Sequence, residues 1–316
     1  MTPPRVVLHP RHLQSVAEAL GELDIELVIP EEDEVASALG ESGILVTYVW
    51  QDDYLPELRW LQSISAGHDH YPYSSFEEHG VVLTSASGVH GPQMAEHAFA
   101  LLLALTRGVG VATRNATEAV WKPMVLEEIA GSTMGILGLG AVGEEVARRA
   151  KAWDMKVIGT KRTVEGYDGM ADEALGPDRT AEVFERSDVV VSVLPGGDET
   201  TGIVTRAMLE SLDGWFVNVG RGNVVAEVDI VAAISHGGLR GAGLDVFETE
   251  PLPESSPLWT NPRVVITPHV AGLSPHYGRR LAEIFHHNLA AYSGQAEWRN
   301  RVVCSAVGCP REQRDR

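Results

Sequence analysis

The residues best suited to chemistry in this sequence stand at the ends of short apolar runs. In T-M-G-I-L-G-L-G-A-V-G, Thr133 to Gly143, the apolar Met134, Ile136 and Leu137 lead into Gly138, Gly140 and Gly143, and helix-forming residues follow from Glu144 to Trp153. A strand, a tight turn and a helix in that order can seat a pyrophosphate. The first glycine permits the turn, the second lets backbone approach the anion, and the third lets helix and strand pack closely, while the helix N-terminus offers unpaired N–H groups. Read alone, G-x-G-x-x-G is equally an ordinary glycine-rich turn, and its strand-turn-helix context is what favours a ligand. Further on, N-V-G-R-G places Arg221 after an apolar run, E-T-E-P places Glu250 beyond D-V-F, and T-P-H-V-A-G places His269 after another run. Singly, Arg221 can pair with a surface acid, Glu250 can decorate a loop and His269 can be a satisfied core histidine. Together, on successive strand ends of a parallel sheet whose C-terminal loops converge on one crevice, they read as one ligand site.

The elements that must carry these residues are legible as alternating short apolar runs and helix-like segments. Val6–Leu8, Ile25–Ile29, Ile44–Val49, Leu61–Ile64 and Val81–Leu83 suggest a small parallel α/β sheet. Met155–Gly159, Asp188–Leu194, Trp215–Val219, Gly241–Leu244 and Val264–Ile266 read as strands of a second sheet, with helices at Ala181–Arg186, Arg206–Leu212, Val228–His236 and Pro275–Tyr292. The pattern is that of a doubly wound sheet. Between the two sets lies an apolar helix, Gln93–Arg107, on which Met94, His97, Ala98, Leu101, Leu102 and Leu105 fall near helical spacing, and its apolar character suggests a position between domains. Gly108–Ala130 reads as a polar connection. In the first half, S-A-G-H-D, Ser65 to Asp69, is a small-residue turn after a strand. Such a turn can present backbone N–H groups to an anion or simply end the strand. His68, Asp69 and His70 do not make a metal site, because adjacent residues point different ways and no further ligand cluster lies near.

Composition narrows the function classes. With 316 residues, 44% of them hydrophobic, the chain can bury two domain cores. Its formal charge of −19 disfavours nucleic acid and anionic membrane surfaces as partners. No apolar run is long enough to span a bilayer, and M-T-P-P-R lacks the apolar stretch of a signal peptide, so a cytoplasmic location is expected. Cys304 and Cys309, the only cysteines, lie in a tail read as frayed and give neither a disulfide framework nor a zinc pattern. The second strand of the nucleotide sheet should end in an acid that binds the adenosine ribose. Here it ends in Lys161 and Arg162. Two cations suit a 2′-phosphate, which a carboxylate would repel, so NADP(H) is preferred and NAD(H) is the alternative. Solvated surface cations are the plainer reading of the same pair.

These motifs, in this order, resemble the D-isomer-specific 2-hydroxyacid dehydrogenase family over nearly the whole chain, glyoxylate/hydroxypyruvate reductases in particular. They are S-A-G-H-D at Ser65, G-L-G-A-V-G at Gly138, L-P with a following E-T at Leu194 to Thr200, N-V-G-R-G at Asn218, L-D-V-F-x-x-E-P at Leu244 and T-P-H-V-A-G at Thr267. The resemblance implies two doubly wound parallel-sheet domains, a Rossmann-like nucleotide domain at 93–293 inserted into a flavodoxin-like substrate domain at 1–92 and 294–316. It implies a homodimer, with much of the contact on the helix at Gln93, and a cleft that closes by a hinge. Arg221 would bind the substrate carboxylate and polarise the keto oxygen. His269 would be the general acid in reduction and the base in oxidation, and Glu250 would orient it and favour its protonated form. Ala66, Gly67 and the adjacent His68 would hold the substrate end. Gly138, Gly140, Ala141, Val142, Gly143, Leu194, Pro195, Thr200, Val219, Gly220 and Gly272 would line the cofactor, and Asp245 would contact the nicotinamide carboxamide. Lys161 replaces the family's usual aspartate. His68 stands where a small apolar residue is more usual. The implied activity is reversible reduction of small 2-keto acids, glyoxylate and hydroxypyruvate among them. A dinucleotide-sensing protein of the corepressor kind is the alternative, disfavoured by the intact Arg221, Glu250 and His269.

Overall fold

Runs of β-branched residues with no polar interruption form strands that are covered on both faces, which is how parallel sheets are built. This computed structural model describes residues 3–302 apart from positions 41 and 69. Asp69, Cys304, Cys309 and the tail from Gly308 lie outside them. One sheet is formed by β1 (Arg5–Leu8), β2 (Glu26–Val28), β3 (Ile44–Thr47), β4 (Trp60–Ser63), β5 (Val82–Thr84) and, from the far end of the chain, β13 (Arg301–Val302). The other is formed by β6 (Thr133–Leu137), β7 (Lys156–Thr160), β8 (Glu173–Leu175), β9 (Val189–Ser192), β10 (Gly214–Asn218), β11 (Leu239–Leu244) and β12 (Val264–Ile266).

Among the described residues the first sheet runs β13-β5-β4-β3-β1-β2, and the second β12-β11-β10-β9-β6-β7-β8. All pairings are parallel except β13 on β5, an antiparallel edge that was not expected. The second order reverses at β6, the Rossmann switch point: β7 pairs one side of β6 and β9 the other, with Leu137 opposite both Thr160 and Ser192. The first order reverses at β1, as in flavodoxin-like sheets. The strands expected from sequence are all present, within a residue or two at most ends. The helix Gln14–Gly21 falls in one of the helix-like segments between the first apolar runs, whereas β8 and the helix Val109–Thr117, which falls in the stretch read as a polar connection, have no counterpart in the sequence reading.

The chain divides into two compact units, residues 1–90 with 274–316 and residues 91–273. The return boundary therefore falls some twenty residues before the expected 293. The reason is the core packing of helix Tyr277–Tyr292. Its Tyr277, Leu281, Ala282 and Phe285 join Val6, Leu8, Val16, Leu20, Ile44 and Trp60 in one buried cluster, and the Phe285 ring stacks on Trp60 at 4.9 Å. Its periodicity announced a helix, but nothing local said which sheet its apolar face would cover. The helix Gly91–Thr106 belongs to the second unit. There it lays Ala95, Ala98, Leu101 and Leu102 into a core with Met134, Ile136, Val191 and Val217.

Candidate active site

β6 ends at Leu137 and the chain turns through Gly138, whose φ of +101° suits glycine alone at no steric cost. Gly143 is required for a different reason, since a Cβ there would collide with the Gly138 carbonyl. At Gly140 a Cβ would meet nothing within 4 Å, so that backbone faces open space. Helix Ala141–Ala152 begins at once, with Gly140 extended at its N-cap and no side chain capping it; Ala141 is exposed and Val142 half-buried. Open backbone beside uncapped N–H groups fits a pyrophosphate. The turn is fastened to the neighbouring strand by Leu139 N–H donating to the Thr160 carbonyl at 2.7 Å and Gly138 N–H to the same carbonyl at 3.2 Å. Just beyond Thr160, the Lys161 ammonium donates to the Leu139 carbonyl at 3.0 Å, which places this cation beside the glycine turn. Arg162 is exposed and pairs with Glu199 at 3.3 Å.

The remaining strand ends of this unit carry the other residues. After β9, Leu194 borders Gly138, and the Thr200 hydroxyl donates to the Pro195 carbonyl at 2.7 Å, closing the L-P loop. After β10, the buried Asn218 side chain accepts from Gly220 N–H at 3.1 Å and donates to the Arg221 carbonyl at 2.9 Å. Val219 and Gly220 are thereby held inside, and the Arg221 side chain is turned outward, donating to the Gly220 carbonyl at 2.9 Å. After β12, Gly272 accepts from the Gln93 amide at 3.1 Å.

Glu250 and His269 meet directly. His269 Nδ1 lies 2.6 Å from Glu250 Oε2, and the other carboxylate oxygen accepts from Phe247 N–H at 3.0 Å. An ionised carboxylate only accepts, so the proton of this bond sits on Nδ1 and Nε2 is the nitrogen left to exchange a proton. The His269 backbone has φ +52°, unusual for a residue with a side chain and costing on the order of 1–3 kcal/mol. Asp245 holds it there. Its backbone carbonyl accepts His269 N–H at 2.8 Å. Its fully buried carboxylate accepts from Thr267 Oγ1 at 2.6 Å, Val270 N–H at 3.0 Å and Ala271 N–H at 2.9 Å. His97 Nε2 approaches the same carboxylate at 3.3 Å. Burial alone would push the Asp245 carboxyl up. The bonds from His97, Thr267 and the two backbone N–H groups outweigh it and hold the group below the usual aspartate range. Arg221 stands on the neighbouring strand end, and its bonds lie within its own turn.

In the first unit the turn after β4 has Ser65 Oγ accepting Gly67 N–H at 3.2 Å, with Ala66 and Gly67 exposed. The Tyr73 hydroxyl bonds both to His68 Nδ1, at 2.6 Å, and to the His68 carbonyl, at 2.8 Å, so it pins that ring. His70 turns away and bonds the Tyr48 carbonyl at 2.8 Å. Two residues of the second unit were missed from sequence as parts of a site. In sequence His97 reads only as one member of a helical apolar stripe, and its polarity is the available signal. Thr267 is the first residue of T-P-H-V-A-G, and nothing in that motif by itself gives its hydroxyl a role.

The region 99–271 matches the model of the D-isomer specific 2-hydroxyacid dehydrogenase NAD-binding domain. A glyoxylate reductase of Korarchaeum cryptofilum is 34% identical over 251 residues, covering 75% of this chain and 74% of that protein. An NADPH-dependent glyoxylate/hydroxypyruvate reductase of Sinorhizobium meliloti, solved with NADP and sulfate, superposes with a TM-score of 0.75 at 28% identity, over 95% of this chain and 98% of that one. A D-isomer specific 2-hydroxyacid dehydrogenase of Xanthobacter autotrophicus, solved with NADPH and MES, gives 0.79 at 25% identity, over 96% and 98%.

A carboxyl held below its unfolded value stabilises the fold above that value, about 3.9 for aspartate, and the contribution is lost as pH falls through the lower folded value. Asp245→Asn removes it. The thermal midpoint of the wild type should exceed that of the variant most near neutrality, and the gap should shrink below about pH 4. Melts that show a gap of constant size across this range would contradict the assignment.

Proposed function

The chain belongs to the D-isomer specific 2-hydroxyacid dehydrogenase family, oxidoreductases of small 2-keto and 2-hydroxy acids that use a nicotinamide dinucleotide, and on that premise we propose that it reduces glyoxylate and hydroxypyruvate with NADPH. The observation that carries the reading is the His269–Glu250 pair at 2.6 Å, set on a strand end of the sheet that also presents Arg221 and the glycine turn. Glu250 holds Nδ1, so His269 delivers a proton from Nε2 to the keto oxygen in reduction and takes it back in oxidation. Arg221, planar and always charged, binds the substrate carboxylate and polarises the keto oxygen. The exposed Ala66 and Gly67 backbone, with His68 pinned beside it, is assigned to the substrate carboxylate end.

The dinucleotide, when bound, supplies the hydride that reaches the keto carbon. Gly138 to Gly143 and the helix after them would hold its pyrophosphate, with Leu194, Pro195, Thr200, Val219, Gly220 and Gly272 along it. Asp245 would contact the nicotinamide carboxamide. Lys161 and Arg162 would bind the adenosine 2′-phosphate. The Arg162–Glu199 pair is exposed, worth little in water, and readily exchanged for a dianion. Both of the solved relatives described above hold NADP or NADPH, which supports the same preference. A homodimer is part of the proposal. The segment after helix Val109–Thr117 exposes Trp121 at 96% and Val125 at 98%, with Val120 and Leu126 beside them, an apolar strip that a second copy would cover.

Initial rates on a panel of 2-keto acids, each with NADPH and NADH, test the activity directly. Glyoxylate and hydroxypyruvate with NADPH should be the best substrates, and His269→Ala should lower kcat by about a thousandfold or more while cofactor binding persists. Full turnover in that variant would sink the proton-transfer role. Exchanging Lys161 and Arg162 together for alanine should raise the NADPH KM by about tenfold or more and change the NADH KM by less than about threefold; equal effects on both cofactors would refute the 2′-phosphate site. Light scattering should give twice the 34.2 kDa chain mass, and Trp121→Glu with Val125→Glu should return it to the monomer. A monomeric wild type would remove the dimer from the proposal.

A further inference from the structure

His97 lies between Gln93 and Leu101 on one stripe of helix Gly91–Thr106, with its side chain 21% exposed. A register match between helix and strand brings it to the acid–base loop. Leu101 lies against Gly243 of β11, where a Cβ would come within 2.8 Å of the Leu101 Cβ, so only glycine lets the helix lie this close. His97 is four residues before Leu101, about 6 Å back along the helix axis. Asp245 is two residues beyond Gly243, about 6.6 Å along the same side of the strand. Since helix and strand run in opposite directions here, the two displacements coincide and the imidazole arrives at the carboxylate.

The hydrogen bonds then have a fixed direction. Thr267 has one hydroxyl proton and gives it to Asp245 Oδ1 at 2.6 Å. The proton between His97 Nε2 and Thr267 Oγ1, at 2.8 Å, must therefore be on Nε2. His97 Nε2–H points at Thr267 Oγ1 and, at 3.3 Å, at Asp245 Oδ1, and Thr267 donates to the same carboxylate, which also accepts the N–H groups of Val270 and Ala271, immediately after His269. Thr267 and Asp245 between them bracket the left-handed backbone at His269.

We propose that His97 is a positioning residue for the reaction. Through Thr267 and Asp245 it holds the His269 loop in the conformation that keeps the imidazole on Glu250 and aims Nε2 at the reacting oxygen. This rests on the reading of His269 as the proton-transfer group. His97 touches neither substrate nor reacting atoms, so its removal acts on the proton-transfer step more than on cofactor binding.

The test compares steady-state kinetics of His97→Leu, His97→Gln, Thr267→Val and the double variant His97→Leu/Thr267→Val, each checked for native circular dichroism, with His269→Ala alongside. Leucine fills the site without a donor, and glutamine keeps an N–H donor near the Nε2 position. His97→Leu should lower kcat by about tenfold or more and change the NADPH KM by a clearly smaller factor, and His97→Gln should recover kcat to within about threefold of the wild type. Thr267→Val should also lower kcat, and the double variant should lose less than the product of the two single effects, since both residues act on the same carboxylate. The inference is overturned if His97→Leu keeps kcat within about twofold, if the glutamine variant is as slow as the leucine one, or if the double variant loses the product of the two effects. Should His269→Ala turn over normally, the proton-transfer reading itself fails. If His269→Ala is inactive while His97→Leu is normal, only the positioning role is lost.

Discussion

The hydrogen bonds around one buried carboxylate organise the reactive end of the second unit. Asp245 follows β11 directly and takes its bonds from residues 267–271 and from the helix Gly91–Thr106. Removing a charge from water is costly, and the group stays ionised here because several donors converge on it. Those same bonds impose the left-handed backbone at His269 and thereby place its ring on Glu250. A loop of ordinary flexibility would let the imidazole wander and would leave Glu250 with an exposed histidine of no particular orientation.

Everything else in that unit serves to bring strand ends to one side of a sheet. The order reverses at β6, so the glycine turn leaves the sheet where the crossovers part, the position at which open α/β sheets bind ligands. β10 and β11 lie side by side in register, Asn218 opposite Leu244, which sets the Arg221 turn and the Asp245 carboxylate on adjacent ends. Arg221 owes its orientation to the Asn218 side chain, and Lys161 lies beside the glycine turn because β7 pairs β6. The chemistry needs groups from several strands, and the parallel sheet supplies them without any one loop being long.

Much of this was legible in sequence because its signals are local. Alternating apolar runs gave both sheets, G-x-G-x-x-G marked the turn, and the residues following the later runs singled out Arg221, Glu250 and His269. What was not legible depends on long-range packing. The helix Tyr277–Tyr292 reads as a helix from its own periodicity, yet its membership of the first unit follows from Phe285 stacking on Trp60, more than two hundred residues away. His97 looked like part of an apolar stripe because its partners, Thr267 and Asp245, are separated from it by most of the nucleotide sheet. The short β8 and the two-residue edge β13 lack any periodic signal of their own. Lys161 was visible at the expected strand end, but its bond to the Leu139 carbonyl required the fold.

In the proposed reaction a hydride passes directly from the dinucleotide to the keto carbon of a 2-keto acid while His269 protonates the oxygen. The most direct measurement is product analysis after reduction of hydroxypyruvate with NADPH deuterated at both C4 positions, by mass spectrometry and chiral separation. The expected result is a D-2-hydroxy acid carrying one deuterium at C2. A product without deuterium, a racemic or L product, or no product at all would contradict the account.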